Sequence, residues 1–293
     1  MEILKKKSKV KGDKTESYYR YEAMVKRLLT LVGLWPSENS VWSYYGRSYI
    51  VLLMTTLALT AMINHILHDV TTTHETIEVA SFSTSASISV LKIFLITINR
   101  NEVSVLYKKL RKFLRETEQD GRLIEYGYEK VNLCYSLART LTFAVFGSFV
   151  AYVVIPFFST LLNFIRDSAT VEFPLIYPAR YPWDPRSNQL VFIGTYTMEL
   201  VTIFSTCVAV SGIDGFVLLL ICQGVIDLRA MAYRLNHIGK SEDYEDVMKK
   251  CVQHWVFLTH LRDELQRIYG PLIVYNVVTS AVLLCSLMFQ LAQ

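Results

Sequence analysis

Three ionisable side chains stand inside apolar stretches: Lys92, Arg139 and Glu199. A charge in a hydrocarbon setting is costly, so it marks a functional candidate by default. Lys92 sits about two turns from one end of its stretch, and Arg139 is close to the same side. Their long stems let the charged heads snorkel to the interface. Glu199 lies about 10 residues, or about 15 Å, inside its stretch, too deep for that. It pairs with another helix, carries a proton, or borders a wet cavity.

Other reactive residues point to packing. Cys251, His254 and His260 fall roughly on one helical side, but zinc wants four ligands and no fourth is in view. No metal site follows. His65 and His68 read as solvated interface residues. Phosphate-cradling loops, nucleophile elbows and HExxH are absent, so no catalytic set, cofactor or enzyme activity is expected. The five cysteines form no CxxC pair and their count is odd, which argues against a disulfide framework.

Around Glu199, residues of mixed apolar and hydroxyl character gather in the outer halves of neighbouring stretches. Phe146, Phe149, Tyr152, Tyr196 and Leu200, with Val79 and Phe82, are candidates for the wall of an apolar cavity. Such a cavity suits a small, greasy ligand.

The elements that must position these residues follow from charge distribution. Hydrophobic residues make up 52% of 293 and net charge is +4, with acids and bases interleaved, so there is no nucleic-acid footprint. Five sparsely charged segments are long enough to span a bilayer: about 45–67, 76–98, 135–162, 189–228 and 271–291. The fourth, at 40 residues, is one projecting span or two spans hinged at Ser211–Gly215. Basic residues decide: Lys and Arg number nine in 1–44, eight in 99–134 and seven in 229–270, against none in 68–75 and three in 163–188. One long span keeps the three basic regions on one side, as the positive-inside rule requires.

The expectation is therefore an all-α membrane protein: five transmembrane helices, a cytosolic N-terminus and helical cytosolic extensions. Its parts are a cytosolic segment 1–44, transmembrane helices with the outer pocket region over 45–228, a cytosolic helix over 229–270, and a fifth span over 271–293. Within the cytosolic part, Val103, Leu106, Tyr107, Leu110, Phe113 and Leu114 share one face, with Lys108, Lys109, Arg111 and Lys112 opposite; that is an amphipathic helix. Residues 244–269 repeat the pattern with Tyr244, Cys251, Trp255, Leu258 and Ile268.

Four short motifs now line up. Gly33-Leu34-Trp35-Pro36 precedes the first span, and the Pro- and aromatic-rich run from Tyr177 to Pro185 precedes the fourth. Asp214 lies within the fourth segment, and Cys251-Val-Gln-His-Trp-Val-Phe-Leu258 precedes the fifth. Their order and spacing resemble the insect odorant receptor family over nearly the whole chain. The resemblance implies seven helices with a cytosolic N-terminus in the plasma membrane. It implies a cation channel gated by small volatile hydrophobic ligands, working as a hetero-tetramer with an olfactory co-receptor. It implies an odorant pocket in the outer half, and subunit contacts through Cys251, His254, Trp255 and Leu258. Against that pattern the last two helices are missing, so the chain reads as a truncated receptor that does not itself conduct. The rivals are a gustatory receptor of the same superfamily, a transporter or scaffold fragment, and a G-protein-coupled receptor, which needs the opposite orientation.

Overall fold

A computed structural model describes residues 2–36, 42–69, 73–119, 128, 131–166, 175–185, 187–237 and 244–292. Among them are seven long helices: α1 (Glu2–Leu31), α2 (Trp42–His68), α3 (Thr73–Ile98), α4 (Arg100–Gln119), α5 (Val131–Arg166), α6 (Gln189–Asn236) and α7 (Tyr244–Ala292). Four of them, α2, α3, α5 and α6, are long and apolar enough to cross a membrane.

Helix α6 is the axis of the bundle and touches all six others. The 189–228 stretch is one unbroken helix of 48 residues, with no hinge at Ser211–Gly215. Asn188 caps its first turn, accepting from the Leu190 N–H at 3.3 Å, as an N-cap should. Gly212 and Gly215 are instead the seat of α1. A Cβ on Gly212 would lie 2.8 Å from Leu29, and one on Gly215 would lie 3.1 Å from Val25. The Tyr21 hydroxyl closes the contact, donating to the Gly215 carbonyl at 2.6 Å. From Val208 to Ala230 the buried positions run round α6 rather than along one stripe. A helix apolar on every side is buried in protein or in lipid; here the lower half of α6 is wrapped by protein.

The end of the bundle where α1 and α4 meet α6 is called the lower end, and the end carrying the 175–188 loop the upper. From sequence, no helix is expected within 1–44. That segment holds a 30-residue helix whose Tyr18, Tyr21, Val25 and Leu29 are buried, as is Val32 just past its end. That helix stops in a Schellman turn: Leu34 N–H donates to Leu29 O at 2.8 Å and Gly33 N–H to Thr30 O at 3.2 Å. The turn needs a left-handed residue at Gly33, whose φ is +73°, and glycine carries no penalty there. The chain then delivers Trp35 edge-on between Tyr107 and Phe216. Arg100 locks the turn, donating to the Gly33 carbonyl at 2.8 Å and to Ser48 Oγ at 2.9 Å, with its guanidinium 4.2 Å over Tyr45.

The α4 stripe is as expected: Val103, Leu106, Tyr107, Leu110 and Leu114 are buried. Arg111 departs from its solvated face, because it pairs at 2.8 Å with the buried Glu22 of α1, to which Tyr107 also donates. The α7 stripe is rotated from its expected position. Cys251, His254, Leu258, Leu261, Ile268 and Tyr269 face inward, whereas Tyr244 and Trp255 face out. Helix α7 continues without a break past Pro271, so the 270/271 boundary divides one element.

Candidate functional site: a cavity among four helices

Upper halves of α2, α3 and α6 and the middle of α5 border a cavity of about 560 Å³. Its apolar lining includes Ala58, Met62, Phe82, Phe149 and Ile203, and its polar lining includes Thr55, Ser81, Ser89 and Thr206. That volume and mixture suit a small organic molecule, which is held by apolar contact and oriented by a few polar groups. The small residues matter: serines spaced along α3 leave room that larger side chains would fill.

Tyr177 closes the upper wall, and the loop carrying it is fastened by Glu199. That carboxylate is 0% exposed. It accepts from the Ile176 backbone N–H at 2.9 Å and from the Tyr181 hydroxyl at 2.8 Å. The Tyr177 and Tyr181 phenol oxygens lie 3.4 Å apart. Burial, the neighbouring phenol and the Glu199 charge together push the Tyr181 pKa well above its ordinary value, so Tyr181 keeps the proton it donates. Tyr181 stacks on Trp183 at 5.1 Å, whose indole N–H donates to Thr195 Oγ1 at 3.1 Å. At the loop's far side, Arg180 N–H donates to the Ala61 carbonyl at 3.0 Å, and its guanidinium meets Asp69 at 3.0 Å. Asp69 also engages His65 Nδ1 at 3.2 Å, so His65 belongs to this fastening rather than to free solvent.

Of the expected wall residues, Phe82 and Phe149 line the cavity. Val79, Tyr196 and Leu200 instead join the small hydrophobic cluster around Ala58, Met62, Ile176 and Tyr177. Phe146 packs toward the main core and against Phe204. Glu199 is the loop's anchor rather than part of the lining. The Tyr152 side chain lies outside the described residues. The hydroxyl-bearing part of the wall was not named from sequence. The Ser/Thr-rich composition of 76–98 is the signal that points to it.

Lys92 does not snorkel. Its side chain is 8% exposed, and its ammonium donates to both oxygens of Asp214 on α6 at 2.7 Å. The pair lies below the cavity and ties α3 to α6. Arg139 is exposed beside the Tyr135 ring.

Of the residues expected at a subunit contact, Cys251, His254 and Leu258 are buried within this chain. His254 packs 4.3 Å from the Phe113 ring, and burial and the nearby Arg234 hold its pKa below the ordinary value. These three are internal packing. Trp255 alone of the four faces outward, beside Val252 and Val256. His260 is exposed, so it does not join Cys251 and His254 in one group. Among the described residues no group of three or more side chains could hold a metal ion.

The fold has solved counterparts. The chain is similar to the insect olfactory receptor OR5 from Machilis hrabei, with a TM-score of 0.71 and 15% identity, covering 94% of this chain and 71% of that one. It is equally similar to the same receptor in complex with eugenol, at a TM-score of 0.70 and 15% identity, covering 94% and 72%. No curated protein matches it by sequence. The 7tm odorant receptor profile, however, matches residues 72–293, three-quarters of the chain, including the α3, α5 and α6 walls of the cavity. With helices able to span a membrane, a ligand-sized cavity among them and that match, this chain belongs to the 7tm odorant receptor family.

Proposed function

We propose that this chain is the ligand-binding subunit of an odorant receptor, taking small volatile hydrophobic molecules into the cavity between α2, α3, α5 and α6. The observation that carries the reading is the cavity itself: about 560 Å³, walled by apolar side chains and hydroxyls, and roofed by an anchored loop. A solved receptor of like fold is in complex with eugenol, a ligand of the same class. In this reading the N-terminus is cytosolic, the loop end faces outward, and α7 crosses the plasma membrane as a fifth span. The distribution of Lys and Arg supports that orientation. The lower bundle then lies in the cytosol. Its exposed Val252, Trp255 and Val256 meet an olfactory co-receptor in a hetero-tetramer whose cation channel the ligand gates.

Filling the cavity tests the binding claim. Ala86 lines it, and Ala86→Trp puts an indole into the ligand's volume. The purified chain in lipid nanodiscs is expected to retain aliphatic volatiles above an empty-nanodisc background in equilibrium dialysis. The variant should lose at least about tenfold in affinity, comparable to the removal of a few apolar contacts. Equal retention by both proteins would contradict the reading.

A further inference from the structure

Six of the hydroxyls lining the cavity share an orientation that bears on which ligands fit. Thr55, Ser81, Ser89, Ser148, Thr202 and Thr206 each donate to a carbonyl one turn back in their own helix, at 2.7–3.0 Å. Such back-bonding satisfies a hydroxyl in an apolar helix bundle. It commits the proton and leaves the oxygen's lone pairs. Two of these oxygens come together. Thr55 Oγ1 on α2 and Thr206 Oγ1 on α6 lie 3.2 Å apart across the helix interface, where either hydroxyl can donate to the other in place of its own carbonyl. In each arrangement both protons are held within the protein and lone pairs stay open, and both residues line the cavity.

We propose that the Thr55–Thr206 pair is the polar recognition point of the cavity, and that it selects ligands carrying a hydrogen-bond donor: aliphatic alcohols and phenols over ketones and ethers of the same size. One ligand O–H reaches both oxygens and completes the set of bonds there. A ketone offers only lone pairs to lone pairs, so its oxygen is desolvated without a partner. A site built on one polarity of hydrogen bond discriminates more strongly than apolar contact alone. The inference rests on the cavity being the ligand site, and it names the ligand's chemistry.

The test uses the full chain in nanodiscs, with 1-octanol and 2-octanone as probes in equilibrium dialysis. Thr55→Val/Thr206→Val keeps shape and removes both oxygens. The double variant is expected to bind 1-octanol about fivefold more weakly, the worth of one hydrogen bond, while 2-octanone changes by less than twofold. Comparing each probe with itself across the two proteins cancels its partition into lipid. Unchanged 2-octanone binding also shows that the variant is folded. An equal loss for both probes, no loss for either, or a larger loss for the ketone would overturn donor selection while leaving the cavity as the ligand site. Failure of the unmodified chain to bind either probe would overturn both.

Discussion

Asp214→Ala is expected to destabilise the folded chain by about 3 kcal/mol, the low end for stripping one partner from a buried ion pair. The reason is asymmetry. Lys92 is 8% exposed and Asp214 39%. Removing the aspartate strands an ammonium among helices, whereas removing the lysine leaves a carboxylate that still reaches water. Lys92→Met should therefore cost about 1 kcal/mol or less, as for a solvent-accessible pair. The double variant Lys92→Met/Asp214→Leu should recover most of what Asp214→Ala loses. Denaturation midpoints of the purified proteins give the order. If Lys92→Met proves as damaging as Asp214→Ala, the pair is not the asymmetric tie that its burial implies.

The second large effect falls at the cavity roof. Glu199→Ala orphans two buried donors, the Ile176 N–H and the Tyr181 hydroxyl. Each costs about 1–3 kcal/mol when left unpaired. The 176–181 segment should detach from α6, making the loop protease-sensitive and weakening ligand retention. Tyr181→Phe removes the bond to Glu199 and the longer one to Tyr177 but leaves the Ile176 contact, so about 1–2 kcal/mol is expected. Limited proteolysis separates the two: rapid loop cleavage in Glu199→Ala, slow cleavage in Tyr181→Phe. Loop cleavage at the unmodified rate in Glu199→Ala would show that the carboxylate does not hold the roof.

These two sites show what the linear sequence can reveal. Apolar length and basic-residue counts located α2, α3 and α5, and they correctly treated 189–228 as one element. Periodicity located α4. Those signals are local, and each survives any rotation of the helix about its axis. The wall of the cavity does not. Whether Phe82 or Val79 faces the void depends on how α3 is turned against α2, which packing across the bundle decides. Large aromatics were favoured as wall residues, yet a cavity exists where side chains are small. The serines and threonines of α3 and α6 were the better guide. Lys92 failed for a related reason. Snorkelling is a property of one side chain in lipid, whereas an acidic partner 122 residues away is invisible to a window. In α1, the six lysines among the first 14 residues drew attention from the Tyr18, Tyr21, Val25, Leu29 and Val32 spacing that follows them. The same bundle explains why the 216–222 stretch of α6 is apolar on every side: neighbouring helices cover most of it, a setting that hydropathy does not distinguish from lipid.

Placement of the ligand tests the central claim most directly. A diazirine-bearing aliphatic alcohol, photolysed on the chain in nanodiscs and mapped by peptide mass spectrometry, should label residues 77–89, 145–149 and 202–210 and Tyr177. Excess 1-octanol should suppress that labelling. Adducts confined to the exposed faces of α5 and α7, or labelling indifferent to 1-octanol, would contradict a ligand site among these four helices.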